Sequence, residues 1–305
     1  MSIFGQKKKK SEVKILAREK SDYNDIYVMQ KGSKREMWFR KKNDFFLQSR
    51  IDINKLDSLI LINTKLLISG LLLQPAPKRI LMIGLGGCAV SNFLSFLYPQ
   101  VIIDVVEIDQ KVIDISKKFF YLNETSNYKV HQDDGRRFIR KMSGRKTYDL
   151  VYLDAFKSGS IPFHLKTIQF YEDVNRVLSS RGVVGSNLYG KSNLLKPNDW
   201  KTFSGEFNRI YCFEDNGRKS TVLFATNRVE TWGMHHFIQA AKNFPLSLPF
   251  SLVDMAKTYR PEKLEKGNGI VFKDNFVIFF PINILFNTSL SINELYFSTR
   301  LFHSE

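Results

Sequence analysis

The chain has 305 residues, of which 43% are hydrophobic and 25% charged, ordinary values for a soluble globular protein that exclude a mainly disordered chain. Lys and Arg number 46 against 30 Asp and Glu, so the formal net charge is +16. This excess suggests anionic partners, although a basic solvated surface is the simpler explanation. The two cysteines, Cys88 and Cys212, cannot build a disulfide framework, and we expect a cytoplasmic protein.

Residues 1–10 are predicted to form a flexible basic tail, because a run of lysines follows a very short apolar start. We expect this tail to bind nucleic acid or another anionic surface weakly. The longest apolar runs, 59–73 and 276–286, are interrupted by polar residues or proline. Both are shorter than the roughly 20 residues that cross a bilayer, so we expect no membrane span.

Short strand patterns separated by turn residues fill the chain from Val13 to Leu47. They are VKILA, DIYVMQ, REMWFR and FFLQ, and the segment KGSK between two of them is typical of a hairpin. The pattern predicts a small N-terminal β-strand domain over residues 11–55. A helical stretch is predicted from about Ile53 to Leu73, ended by Pro75 and Pro77.

Strand and helix patterns then alternate. The predicted strands are RILMIGL, VIIDVVEID, YKVHQDD, YDLVYLD and GVVGSNL, with helical spacing between them at 112–120 and 167–178. This alternation predicts an α/β fold with a Rossmann-like doubly wound sheet over residues 56–230. The runs RIYCFED and STVLFAT, joined by NGRK, predict a closing antiparallel hairpin. Residues 231–305 form a C-terminal extension to which the pattern assigns no structure.

The run ILMIGLGGCAVSNFL carries the strongest local signal. A buried strand leads to Gly84, Gly86 and Gly87, and a helix is predicted from about Ala89. Glycines at such a position allow a tight turn and let a ligand approach the backbone at a helix N-terminus. The spacing also fits a dinucleotide fingerprint, so the loop alone does not choose between NAD and an adenosyl cofactor.

Acidic residues follow the next two predicted strands. Glu107 ends one of them about 20 residues beyond the glycines, where a carboxylate accepts both hydroxyls of a ribose. Asp109 fits the cap of the next helix. Asp134 is placed to accept from an adenine amino group, although it also fits a helix N-cap and Asp133 could serve equally well. An acid after the third strand favours adenosylmethionine over NAD.

The run YLDAFKSGSIPFHLKT supplies the candidate catalytic residues. Asp154 ends the fourth strand, at the edge where open α/β sheets bind ligands. His164 lies in the loop that follows, where it could act as a base or contact the acceptor. A structural role for this histidine remains open.

The ordered series from about Ser21 to Ala225 resembles the spermidine synthase (polyamine aminopropyltransferase) family, and more specifically its bacterial spermidine-synthase-like members. The matching segments are SDYNDIYV, FFLQSR, IGLGG, DVVEID, DDGRRF, LDAFKSGSIPFHLKT and RGVVGSNL. The resemblance implies a homodimer with an N-terminal β-strand domain and a Rossmann-like domain of the class I adenosylmethionine-dependent methyltransferase type. It also implies that S-adenosylmethionine, or its decarboxylated form, contacts Gln48, Glu107, Asp134 and Asp154 above a floor of Gly84 and Gly86.

Three departures from the family pattern remove contacts for cationic groups. Lys157 stands where the family has a second Asp that orients and deprotonates the attacking amine. Gly87 stands where an acid holds the propylamine end of the cofactor, and residues 63–65 (Asn-Thr-Lys) replace a Tyr-His-Glu stretch near the acceptor. A basic chain with these losses repels polyamines.

The sequence therefore favours methyl transfer to an unknown small-molecule acceptor. Aminopropyl transfer from decarboxylated S-adenosylmethionine, and a non-catalytic binding protein with the same fold, stay open as alternatives.

Overall fold

The computed structural model describes residues 12–156, 160–188, 195–215, 217, 220–261 and 269–275. A four-stranded antiparallel sheet comes first, with its strands side by side in chain order. The strands are β1 (Val13–Lys20), β2 (Asp25–Lys31), β3 (Lys34–Lys41) and β4 (Asp44–Asp52). Gly32, with a φ of 58°, makes the turn between β2 and β3. The predicted N-terminal strands are confirmed.

A seven-stranded sheet follows. Its strands are β5 (Arg79–Ile83), β6 (Ile102–Glu107), β7 (Tyr128–Gln132), β8 (Tyr148–Leu153), β9 (Leu178–Asn187), β10 (Arg209–Asp215) and β11 (Ser220–Thr226). Their spatial order is β10-β11-β9-β8-β5-β6-β7. The pairs among β5 to β9 are parallel, whereas β11 is antiparallel to both β9 and β10. The predicted doubly wound α/β fold with a closing antiparallel hairpin is confirmed.

Helices connect the strands of the second sheet and extend beyond it. They are α1 (Ile62–Ile68), α2 (Gly70–Leu73), α3 (Ala89–Leu97), α4 (Gln110–Phe119), α5 (Gly135–Met142), α6 (Ile168–Val177), α7 (Lys196–Ser204), α8 (Met234–Lys242) and α9 (Leu252–Ala256), with a 3₁₀ turn over Phe163–Leu165. Among the described residues, no helix has the length and apolar character needed to cross a membrane.

The prediction that a helix starts at about Ile53 is wrong, because α1 begins at Ile62. Asp52 causes the difference: its side chain accepts the N–H of Asn54 and its carbonyl accepts the N–H of Lys55. Ser58 then donates its N–H to the carbonyl of Lys55. These local bonds give the backbone an alternative to helix, and the apolar spacing of the segment does not reveal them.

Both faces of the second sheet are buried. Along β5, Ile80 and Met82 belong to one hydrophobic cluster, while Leu81 and Ile83 belong to the other. One cluster takes in helices α1 to α4 and the N-terminal sheet, and the other takes in α5 to α7. Because the faces are covered, the ends of the parallel strands are where this sheet can meet a ligand.

The described part of the C-terminal extension packs on the second sheet through aromatic side chains. The ring of Phe237 in α8 lies 5.2 Å from that of Tyr211 and 5.1 Å from that of Phe213. In the segment 269–275, the carbonyl of Phe272 accepts the N–H of Ile168 at 2.8 Å. The tail 1–10, Lys157 and residues 276–305 lie outside the described residues, and the domain boundaries stay predictions.

Asp109 links the two sheets. Its Oδ1 accepts the N–H of Lys111 and so caps α4, as one reading of the sequence expects. Its Oδ2 accepts from the hydroxyl of Ser21 at 2.6 Å and from the side-chain amide of Asn24 at 3.1 Å, in the turn between β1 and β2. The carboxylate is buried, so these contacts connect the N-terminal sheet directly to the end of β6.

We expect Asp109→Ala to lower the free energy of unfolding by about 2 kcal/mol, because it removes a helix cap and leaves two donors without their acceptor. Urea denaturation followed by circular dichroism measures the loss. Asp114→Ala, on the exposed side of the same helix, is the matched control and should change stability by less than about 0.5 kcal/mol. Equal losses in both variants would show that Asp109 does not link the sheets.

Candidate functional site

The predicted site residues meet at one edge of the second sheet, because β8, β5, β6 and β7 are parallel neighbours that end there. Backbone bonds hold these ends together. Asp154 donates its N–H to the carbonyl of Ile83 at 2.9 Å, and Asp133 donates to the carbonyl of Glu107 at 3.1 Å. The edge therefore brings together the glycine loop and the three acids that follow the strands, Glu107, Asp134 and Asp154.

The glycine loop has one filled side and one open side. Gly84 has a φ of +99°, and a Cβ there would lie 2.5 Å from the carbonyl oxygen of Asp154. Gly86 has a φ of +51°, and a Cβ there would lie no closer than 3.8 Å to its nearest neighbour, the carbonyl oxygen of Gln48. Gly84 thus lets β5 and β8 approach each other, whereas Gly86 faces space that a ligand can enter.

Gln48 belongs to β4, so the N-terminal sheet forms one wall of that space. Its side-chain amide donates to the carbonyl of Phe46 at 3.0 Å. The structure thus brings the backbone of Gln48 to the glycine loop, and a contact between its side chain and a cofactor stays a prediction.

The space beside Gly87 is occupied by protein. A Cβ at Gly87 would lie 2.8 Å from the ring of Phe120 and 2.9 Å from the side chain of Ser49. A side chain at this position would have to displace both neighbours. Glycine replaces the acid that the family resemblance leads one to expect here, and the side chains of Phe120 and Ser49 occupy the space beside it.

Glu107 anchors the glycine loop to the end of β6. Its two carboxylate oxygens accept the N–H of Leu85 and the N–H of Asp109, both at 3.0 Å. Burial raises the pKa of Glu107, and these two bonds act in the opposite direction. A carboxylate oxygen accepts more than one hydrogen bond, so Glu107 retains capacity for ribose hydroxyls.

Asp134, which follows β7, forms a pair with His164 in the 3₁₀ turn. Asp134 caps α5 by accepting the N–H of Arg137 at 2.9 Å. This is the helix N-cap role that the sequence leaves open as an alternative to adenine binding. The other carboxylate oxygen of Asp134 lies 2.7 Å from Nε2 of His164. Burial opposes ionisation, but the bonds to His164 and to the backbone hold the pKa of Asp134 below its usual range. The role of His164 as a base stays a prediction.

The pKa of Asp154 is shifted in the opposite direction from that of Asp134. Burial raises its pKa to about 6, and a hydrogen bond from the side-chain amide of Asn187 at 2.8 Å limits the rise. Asn187 ends β9, the neighbour of β8, so the sheet places it beside Asp154. Sequence reasoning missed Asn187, although its place at the end of a predicted strand was a usable signal.

A second feature that sequence reasoning missed is the buried guanidinium of Arg136. Its two terminal nitrogens each donate to an oxygen of Asp274 at 2.8 Å, and its Nε donates to Asp173. Thr167 also donates to Asp274, at 2.7 Å. One Arg136 nitrogen reaches the carbonyl of His164 at 3.4 Å. The segment 269–275 is thereby fastened to the turn that carries His164.

The helix α1 carries the residues that replace the family's Tyr-His-Glu stretch. Thr64 is buried and its hydroxyl donates to the carbonyl of Leu61. The Lys65 ammonium lies 5.7 Å from the centre of the Phe250 ring, a cation–π contact. Among the residues that the structure describes, no group of three His, Cys, Asp or Glu side chains is arranged to hold a metal ion.

Residues 62–208 match the family described as the spermine/spermidine synthase domain. A curated polyamine aminopropyltransferase from Vibrio vulnificus is 36% identical over 218 residues, which cover 70% of this chain and 73% of that protein. The eEF1A lysine and N-terminal methyltransferase of Xenopus laevis is 28% identical over 223 residues. That match covers 68% of this chain but only 32% of the methyltransferase.

Solved structures share the fold at low sequence identity. A probable spermidine synthase from Corynebacterium glutamicum superposes with a TM-score of 0.66 at 16% identity, covering 87% of this chain and 99% of that one. Human methyltransferase-like protein 13, in complex with SAH, superposes with a TM-score of 0.56 at 22% identity, covering 72% and 98%. These structures show the shared fold. The match to the curated aminopropyltransferase from Vibrio vulnificus, together with the match of residues 62–208 to the family, shows that the chain belongs to the spermine/spermidine synthase family.

Proposed function

We propose that this chain is a transferase that alkylates an amine with the help of an adenosylmethionine-type cofactor. The observation that carries the proposal is the place of Asp154: a carboxyl group with a pKa near 6 at the same sheet edge as the open space beside Gly86. Such a group is ionised at neutral pH and still basic enough to take a proton from an attacking amine.

The residues at the edge fit the cofactor. S-adenosylmethionine or its decarboxylated form supplies a carbon on a sulfonium sulfur that an amine lone pair attacks. In our proposal Glu107 accepts the ribose hydroxyls, Asp134 accepts from the adenine amino group, and the cofactor passes the backbone at Gly86. Gln48 lies across the same space, on β4.

Asp154 would act on the acceptor rather than on the nucleoside. Its negative charge would attract a protonated amine, and the raised pKa would favour transfer of one amine proton to the carboxylate. Asn187 would keep the carboxyl group in one orientation through its bond to Oδ1. His164 is held by Asp134, so in this proposal it supports the nucleoside end of the site.

Aminopropyl transfer is the first candidate reaction. It is supported by the curated relative named a polyamine aminopropyltransferase, which is 36% identical and matched over 73% of its length. The comparisons thus support this reaction better than methyl transfer, which the sequence departures favour. The acceptor would be a small-molecule amine; the homodimer and the binding of anions by the tail stay predictions.

Methyl transfer is the second candidate, and the surroundings of Gly87 favour it. Ser49 and Phe120 close the position where an acid would hold an aminopropyl ammonium. Without that acid, the site lacks an obvious reason to prefer the decarboxylated cofactor. A methyltransferase is also among the curated relatives, matched over about a third of its length.

Isothermal titration calorimetry with the two cofactors separates the candidates. If the chain transfers aminopropyl groups, we expect decarboxylated S-adenosylmethionine to bind at least about tenfold tighter and spermidine to form from putrescine. The opposite preference, without spermidine formation, would make methyl transfer the first candidate. Binding of neither cofactor would overturn the proposal.

Glu107→Gln tests where the cofactor lies. The variant loses the charge that strengthens bonds to ribose hydroxyls, so we expect both cofactors to bind about tenfold to a hundredfold more weakly. Thermal unfolding checks that the variant is folded. Unchanged affinity in a folded variant would contradict the placement of the ribose at Glu107.

Asp154→Asn tests the raised pKa. Because the pKa rises from its ordinary 3.8 to about 6 on folding, the protonated carboxyl group stabilises the fold, and this contribution is lost as pH rises through about 6. The amide variant imitates the protonated form. Its free energy of unfolding relative to wild type should therefore increase between pH 4 and pH 7, as urea denaturation at both values measures. A pH-independent difference would contradict the shift.

A further inference from the structure

A cavity of about 490 Å³ opens beside α5, next to the Asp134–His164 pair. The side chains that line it are Asp134, Arg136, Arg137, Arg140, Lys141 and His164. Four of these six are permanent cations and one is a carboxylate. Neither the cofactor contacts nor the proton transfer proposed above uses the cations.

Three of the cations share one exposed face of α5. Arg137, Arg140 and Lys141 are spaced i, i+3 and i+4, so their side chains lie together on the helix. Their side chains are 65%, 57% and 54% exposed, respectively. They form a basic patch that is open to solvent.

The carboxylates that pair with the patch lie beneath it. Asp133 accepts from Arg137 and Lys141, and Asp173 accepts from Arg140. The side chains of these two aspartates are only 9% and 8% exposed. An anion on the exposed face of α5 therefore meets the cations before it meets Asp133 and Asp173. Asp134, the carboxylate that lines the cavity itself, is bound to His164.

The two arginines retain donors. Within the part of the chain that the structure describes, Arg137 and Arg140 each bond through Nε, and their terminal nitrogens have no protein acceptor. A guanidinium group with free terminal nitrogens can bind two oxygens of one phosphate. Two such groups and the Lys141 ammonium supply more donors than a single carboxylate ligand would use.

We propose that Arg137, Arg140 and Lys141 form a subsite for a phosphate group. The phosphate belongs either to a small phosphorylated molecule or to a nucleic-acid backbone. Arg145 and Lys146 follow α5 on an exposed loop, so two further cations lie close to the subsite residues along the chain. The subsite depends neither on which group the chain transfers nor on the N-terminal tail.

The test variant is Arg137→Gln combined with Arg140→Gln. Asp133 keeps its bond to Lys141, and Asp173 keeps its bonds to Arg136 and Arg176, so no buried carboxylate loses every partner. The matched control is Arg18→Gln combined with Lys117→Gln. These residues are 60% and 50% exposed, are also paired with a carboxylate, and lie on β1 and α4.

Isothermal titration calorimetry with inorganic pyrophosphate measures the subsite. We expect the wild type to bind, the Arg137/Arg140 variant to lose about tenfold or more in affinity, and the control to stay within about twofold. Thermal unfolding verifies that both variants are folded. Equal losses in the two variants would indicate general attraction by the net charge and overturn the proposal, as would absence of binding to the wild type.

A labelled single-stranded oligonucleotide, followed by fluorescence anisotropy over a range of salt, identifies the source of the phosphate. If the ligand is a nucleic-acid backbone, the Arg137/Arg140 variant binds the oligonucleotide more weakly than the wild type does. Its plot of log K against log salt is also less steep, by between one and two in the magnitude of the slope, since each lost contact removes about 0.7. A small-molecule ligand predicts that the variant loses affinity for pyrophosphate alone. If the variant binds both probes as the wild type does, the subsite is refuted.

Discussion

The site depends on one constraint: four parallel strands of a sheet buried on both faces must end at the same edge. The end of β5 donates and accepts backbone bonds on both sides, from Gly84 to the carbonyl of Val106 and from Asp154 to the carbonyl of Ile83. Polar groups cannot be accommodated on the covered faces without partners. The acids of the chain that could bind a ligand are therefore collected where the strands stop, and Gly84 permits the close approach that brings them together.

The same edge gives two carboxyl groups opposite properties. Asp154 is buried with one amide donor, which raises its pKa to about 6, whereas Asp134 has a histidine and a helix N-terminus beside it, which keep its pKa low. In the proposed function this difference separates two roles, since a group with a pKa near 6 can accept a proton and a group that stays ionised can hold a donor in place. The proposed division between acceptor chemistry at Asp154 and nucleoside binding at Asp134 follows from these environments.

Patterns in the sequence correctly predicted those features of the fold that depend on interactions between residues close in the chain. The strands, the glycine loop, the acid at the end of β6 and the caps by Asp109 and Asp134 all depend on residues close in the chain. The contacts of Arg136 could not be predicted, since Asp274 lies 138 residues further along. The turns at 53–61 were missed for another reason: backbone bonds to Asp52 override an apolar spacing that fits a helix.

A crystal structure with 5′-methylthioadenosine, the nucleoside that remains after aminopropyl transfer, tests the central claim most directly. Our account predicts both ribose hydroxyls within hydrogen-bonding distance of the Glu107 carboxylate, the adenine amino group beside Asp134, and the sulfur in the open space beside Gly86. A nucleoside bound away from the ends of β5 and β6, or with its ribose turned away from Glu107, would contradict it.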